Sequence, residues 1–340
     1  MINFGIIGTG MIGRYHRDAI AATPGARLVA ICRGKADAAL QASAAAEYGV
    51  PCEASLAALL ARDDIHAVCI CTPSGQHAAQ AIAAMQAGKH VLVEKPMALN
   101  ITDAEAMMAA AQRHGVRLGV ALQRRTDPAF QRIHQAIARG DFGNLVLGKV
   151  SVPYLRSQAY YDSAEWRGTW ALDGGGVLMN QGIHLLDLLL WFMGDVVSVQ
   201  AQAATLGHQI EVEDCLSASL KFANGALASV IATTCAAPGF PHRVEIYGTR
   251  AGVQIEGEQI VRWEGENVPK DAVRHSASAI SGVAAAGAGA SPTGISNLGH
   301  QRIIADFVNA IHQQREPLVN GAEGLRSLRA ALAIYAAAKT

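Results

Sequence analysis

Three short segments hold residue types that could do chemistry. The first is Gly8-Thr9-Gly10-Met11-Ile12-Gly13, which follows an apolar run from Ile2 to Ile7 and opens a helix-like stretch through Ala22. In that setting the glycines serve three needs: a tight turn, close approach of the backbone to a pyrophosphate, and close packing of helix on strand. The helix N-terminus adds free N–H groups and a partial positive charge. A lone G-x-G-x-x-G is weak, and a structural glycine turn competes with it, but the strand–turn–helix context favours a dinucleotide site. An NAD enzyme usually places an acid about twenty residues further on, at the end of the second strand. Here the strand Arg27 to Cys32 runs instead into Arg33-Gly34-Lys35. A guanidinium pairs with a 2′-phosphate that an Asp would repel, so NADP is expected ahead of NAD. A solvated basic turn in an enzyme that accepts either cofactor is the bland alternative.

The second segment is Glu94-Lys95-Pro96, directly after a strand at His90 to Val93. That places Lys95 near the carboxyl edge of a sheet, where ligands bind in open α/β folds. A lysine there can hydrogen-bond a substrate hydroxyl and stabilise a developing alkoxide, although a lysine taken singly is usually just exposed. The third segment runs from Gly174-Gly175-Gly176 to Asp187. Within it Asn180 and His184 lie four apart on one helix face, with Asp187 three beyond. A histidine on so apolar a helix is more often a satisfied core residue than a catalyst.

The elements that must position these residues divide the chain in two. Up to Leu122, strands alternate with helices and are apolar on both faces, the pattern of a doubly wound parallel sheet. After Gln123 come an amphipathic helix, Pro128 to Arg139, and longer strand-like runs at 146–152, 196–203, 215–222, 226–234 and 243–247. Asn224-Gly225 marks a hairpin between two of them. The fold class is therefore α/β: an N-terminal Rossmann-type domain over 1–122 and a C-terminal α/β domain over 123–340 with a large open, mostly antiparallel sheet. Residues 276–300 read as a long loop, and two helices close the chain.

Composition fits a packed enzyme: 51% apolar residues, 16% charged residues and a net charge of zero. The chain has no clustered Lys and Arg for nucleic acid or an anionic membrane, and no apolar run of the roughly 18 to 20 residues that a membrane span needs. The N-terminus goes straight into a strand without an export signal. Six scattered cysteines lack metal or redox spacing and read as small reduced apolar residues, so a cytoplasmic location is expected and no metal.

Taken in order, residues 5 to 13, Thr72-Pro73 with His77, Glu94-Lys95-Pro96 and the triple-glycine segment ending in His184 and Asp187 closely resemble the Gfo/Idh/MocA family (glucose–fructose oxidoreductase and inositol dehydrogenase). The resemblance covers nearly the whole chain, including Gly299-His300-Gln301 through Glu316-Pro317-Leu318. It implies an NAD(P)-dependent oxidoreductase of a secondary hydroxyl/ketone pair on a sugar, glycoside, sugar nucleotide or cyclitol. It implies a homodimer or homotetramer through the C-terminal sheet. It places Gly8, Gly10, Met11, Ile12, Gly13, Arg33, Lys35, Thr72, Pro73, His77, Glu94, Lys95, Gln123, Trp166 and Arg167 on the cofactor side. Lys95 and His184, with Asn180, form the catalytic set. Arg125, Tyr154, Arg156 and His300 join them as substrate candidates, with Arg124 and Arg125 equally readable as plain surface cations. Many relatives carry Asp where this chain has Asn180, and an amide orients a histidine without adding charge. Asn here, with Trp166-Arg167-Gly168-Thr169, resembles sugar-nucleotide 3-dehydrogenases and points to a pyranose C3 hydroxyl. Two rivals remain: an NAD-dependent glycoside-cleaving enzyme that works by transient oxidation and elimination, and a non-catalytic nucleotide-binding regulator.

Overall fold

The computed structural model describes residues 1–34, 37–268 and 296–339, so Lys35 and most of the expected 276–300 loop lie outside the described residues. The chain divides into two units, Met1–Thr126 with Ser296–Leu328, and Asp127–Ile295 with Arg329–Thr340. The segment 296–328, expected in the second domain, thus clusters with the first unit.

The first unit is built on β1 (Ile2–Ile7), β2 (Ala26–Cys32), β3 (Cys52–Glu53), β4 (Ala67–Ile70), β5 (His90–Val93) and β6 (Leu118–Val120). They form one sheet in the order β3-β2-β1-β4-β5-β6, and every pair is parallel. That is the doubly wound order of dinucleotide-binding folds, with its switch point between β1 and β4. All four residues of β4 and the last three of β5 are buried, as strands covered on both faces must be. The forward helices are α1 (Met11–Ala22), α2 (Ala38–Tyr48), α3 (Leu56–Leu60), α4 (His77–Gln86) and α5 (Ile101–His114). Asn100 accepts from the Asp103 N–H at the start of α5, and Gly115 ends it in the left-handed region.

The second unit carries α6 (Pro128–Ala138), β7 (Leu145–Pro153), α7 (Gln158–Asp162), a π-helical turn Leu178–Gly182 running into α8 (Ile183–Met193), and six further strands. These are β8 (Val196–Ala204), β9 (Cys215–Phe222), β10 (Leu227–Thr233), β11 (Arg243–Gly248), β12 (Ala251–Glu256) and β13 (Gln259–Gly265). The seven strands order as β13-β12-β11-β7-β10-β9-β8, with only β10–β7 parallel. Period-2 alternation sets the register. Leu216, Ala218, Leu220 and Phe222 face in, while Ser217, Ser219 and Lys221 face out. Almost all of α8 is buried, and Leu189 and Met193 lie against β7 at Gly148, where a Cβ would collide with them. The two closing helices are α9 (Leu298–His312) and α10 (Gly321–Ala338). All six cysteines are free thiols, and no described helix is long and apolar enough to cross a membrane.

Candidate active site

In the first unit, the glycine turn behaves as its residue types require. Gly8 holds φ +98° where β1 passes so close to β4 that a Cβ would strike the Cys71 carbonyl. Gly10, the N-cap residue of α1, is exposed and faces open space, and the helix has no side-chain cap. Its first N–H groups are therefore left for a ligand, which is the cradle a pyrophosphate occupies. Met11 and Ile12 sit half-buried in the same turn. Arg33 lies at the end of β2, and its Nη1 donates to the Leu40 carbonyl at 3.1 Å, so the guanidinium is braced against α2.

The carboxyl ends of β4 and β5 are tied together by His77. Its ring nitrogens lie 2.8 Å from the Thr72 carbonyl and 2.8 Å from the Pro96 carbonyl. His77 is 1% exposed, and burial pulls its pKa down. Expected to line the cofactor, it is instead an internal brace joining the Thr72-Pro73 and Glu94-Lys95-Pro96 loops. Glu94 is similarly internal, 6% exposed, with Oε1 2.8 Å from His16 Nε2 and 3.7 Å from His300 Nε2. Burial pushes its carboxyl up, but the hydrogen bond with His16 and the nearby His300 ring outweigh that and hold it well below the usual range. Its other oxygen accepts from the Lys95 backbone N–H at 3.3 Å. The carboxylate thus supports the Lys95 peptide rather than a ligand, and Lys95 itself is half-buried at the sheet edge.

Two substrate candidates are corrected here. His300 is 2% exposed on α9, against Tyr15 and His16 in the interior of the first unit. Arg125 is 1% exposed and its enclosed guanidinium pairs with the partly exposed carboxylate of Glu323. An enclosed guanidinium needs such a partner, so Arg125 is neither a surface cation nor a substrate ligand. Gln123 and Arg124, in the same short turn Gln123–Thr126, are half-buried.

In the second unit, Asn180 lies within the π turn and His184 one residue into α8, both half-buried on a largely buried segment. Isolated π turns are uncommon and recur at functional sites. Asn180 Nδ2 donates to Asp173 Oδ1 at 2.8 Å, and Asp173 Oδ2 accepts from the Gly168 N–H at 3.0 Å. A carboxylate therefore backs the position where an amide replaces the expected acid. Beside it Arg167 Nη1 donates to Tyr160 Oη at 2.7 Å, and the guanidinium lies 4.3 Å from the Tyr160 ring centroid and 4.5 Å from that of Trp166. Gln181 Nε2 reaches the same hydroxyl at 3.5 Å. Arg156 stacks over Tyr154 and Tyr160 and is 6% exposed; burial lowers its pKa. Tyr154 is 3% exposed, with its hydroxyl 2.7 Å from His242 Nδ1. The residues missed from sequence are Asp173, Glu213, Tyr335 and His16. Asp173 adjoins the triple glycine and Glu213-Asp214 is an acidic pair at a strand entry, so both left a signal; Tyr335 left none.

A parallel sheet in dinucleotide order, a bare helix N-terminus at its switch point and a lysine at its carboxyl edge define a nucleotide-dependent oxidoreductase. Known proteins agree with that class. The family described as "Oxidoreductase family, NAD-binding Rossmann fold" matches residues 2–122, and the GFO/IDH/MocA C-terminal domain matches residues 130–254. The chain belongs to the Gfo/Idh/MocA oxidoreductase family. It is 30% identical to 1,5-anhydro-D-fructose reductase of Ensifer adhaerens, over 100% of this chain and 97% of that protein. It is 30% identical to inositol 2-dehydrogenase of Rhizobium meliloti, over 77% and 78%. The WlbA dehydrogenase from Bordetella pertussis, solved in complex with NADH and UDP-GlcNAcA, superimposes with a TM-score of 0.89 at 35% identity, covering 99% of this chain and 95% of that one.

Proposed function

We propose that the protein is an NAD(P)-dependent dehydrogenase or reductase of a secondary hydroxyl/ketone pair on a sugar, with a pyranose C3 hydroxyl of a sugar nucleotide acid as the preferred substrate. The observation that carries it is the helix of the second unit, which brings Asn180, held by Asp173, and His184 onto one segment behind a glycine-rich turn. The sugar nucleotide bound by WlbA supports the finer reading. In the proposed roles, a His184 ring nitrogen accepts the hydroxyl proton as general base, and the Lys95 ammonium stabilises the oxyanion that develops. Asn180 orients the substrate or the histidine. Gly8 to Gly13 and the free N–H groups of α1 would hold the pyrophosphate of the cofactor. When bound, the nicotinamide supplies the hydride acceptor. Arg33, following a β2 strand that ends without an acid, supports NADP ahead of NAD. Leu147, Leu227 and Ile231, exposed on the outer face of the second unit's sheet, support a homo-oligomer formed through that face.

The test is a panel of sugars, cyclitols and UDP-linked sugar acids, assayed with each cofactor for reduced nicotinamide. Net cofactor reduction with a UDP-sugar acid is expected. Glycoside cleavage without net reduction would favour the elimination chemistry instead, and a clear NAD preference would remove the NADP assignment alone. His184→Ala and Lys95→Ala should each lower kcat by about 10²- to 10⁴-fold while cofactor affinity is kept. Near-normal rates in both variants would overturn the assignment.

A further inference from the structure

The segment carrying Asn180 and His184 begins with four backbone N–H groups that no earlier turn can satisfy, and it has no side-chain cap of its own. All four end on two residues from elsewhere in the second unit. Gly176 N–H donates to Glu213 Oε2 at 2.8 Å, and Leu178 N–H to Glu213 Oε1 at 2.9 Å. Val177 N–H donates to the Glu213 backbone carbonyl at 3.0 Å. Met179 N–H donates to Tyr335 Oη at 3.2 Å, and that hydroxyl donates in turn to Glu213 Oε1 at 2.8 Å. Asn180 is then the first residue whose own N–H bonds back into the turn, to the Gly176 carbonyl at 2.9 Å.

The triple glycine is shaped by this arrangement. A Cβ on Gly176 would overlap the Glu213 carbonyl, and one on Gly175, at φ +156°, would overlap the Tyr335 hydroxyl. Glu213 is 5% exposed and Tyr335 6%, so neither meets solvent. Their hydrogen bonds run to the backbone of this turn and to each other, and a carboxylate at this end also complements the helix dipole.

We infer that Glu213 and Tyr335 are positioning residues for catalysis: they hold the first turn of this segment rigidly, and so fix where His184 and Asn180 are presented. The inference rests on the reading of His184 as the proton acceptor. A misplacement of about 1 Å at a reacting group can cost on the order of a hundredfold in rate, so a loosened turn would be felt in kcat.

Glu213→Gln keeps the shape but sets an NH₂ group against the Gly176 or Leu178 N–H, two donors face to face. Tyr335→Phe removes a single hydroxyl and serves as the milder variant should Glu213→Gln fold poorly. Each is measured for kcat, for substrate and cofactor KM and for the primary deuterium isotope effect, in the wild-type and the His184→Ala backgrounds. The expected result is a fall in kcat of about tenfold or more for Glu213→Gln and a smaller one for Tyr335→Phe, with cofactor KM unchanged and a larger isotope effect. Both losses should shrink on the His184→Ala background, because the residues act largely through His184. Unchanged kcat in folded variants, or a loss that persists in full on His184→Ala, would overturn the inference. Near-normal kcat in His184→Ala alone would instead overturn the catalytic reading beneath it.

Discussion

Asn180 meets Asp173 through its Nδ2, because a carboxylate can only accept, and this fixes the amide so that its Oδ1 faces the other way. The pairing changes what the Asp-to-Asn departure means. An acid at 180 would lie at hydrogen-bond distance from the Asp173 carboxylate, and two carboxylates that close cannot both remain ionised. Asn180→Asp, which installs the residue seen in many relatives, should therefore lower kcat by about tenfold or more and make activity more acid-sensitive. The check is kcat against pH for the variant beside the wild type, and a gain in activity would contradict it. Tyr160 belongs to the same neighbourhood. Burial raises its pKa and the Arg167 charge opposes that, so the hydroxyl stays protonated where Arg167 and Gln181 meet it.

Among elements, the β9–β10 hairpin gives a clean measure of local conformation. Gly225 takes φ +88° with open space around it, and Asn224 braces the turn by accepting from the Ala226 N–H and donating to the Met193 carbonyl. Gly225→Ala adds a Cβ that meets no neighbour, so its cost is the left-handed backbone alone, about 1–2 kcal/mol. Denaturant unfolding should show that loss with kcat intact; an unchanged midpoint would refute it. This hairpin was legible because its signal is local, as was β1 with its glycine turn. The strands β12 and β13 left a weaker signal: Ala251, Val253 and Ile255 alternate inward, but β13 buries Ile260 and Trp263, three apart, so period 2 breaks there. The π turn before α8 could not be read at all, because Glu213 and Tyr335, from other parts of the chain, occupy its N–H groups. His300 and Arg125 misled for the same reason. Their surroundings are set by segment 296–328 clustering with the first unit, which no local pattern announces.

For the molecule as a whole, the two units should answer acid differently. In the first, burial lowers the pKa of His16, His77 and His90, and the paired histidines hold Glu94 low against its own burial. Each group binds fewer protons folded than unfolded. The histidines therefore destabilise the fold increasingly as pH drops below about 6.5, and the stability that Glu94 contributes above about 4.5 is lost as pH falls further. In the second unit two carboxyls oppose each other. Burial raises Glu213, whose stabilising contribution is present at low pH and lost as pH rises through its folded pKa. Asp214 is lowered, by backbone N–H groups and His208 outweighing its burial, and its contribution is lost on acidification. The first unit should thus melt ahead of the second at pH 5 but not at pH 7. The four tryptophans, Trp166, Trp170, Trp191 and Trp263, all belong to the second unit, so their emission reports it alone while far-ultraviolet ellipticity reports both. Heating at pH 5 should lower ellipticity before the tryptophan signal moves, and Glu94→Gln should flatten the dependence below about pH 4.5. Coincident transitions at both pH values would show that the units unfold as one, and an earlier tryptophan change would reverse the assignment of the acid-labile half.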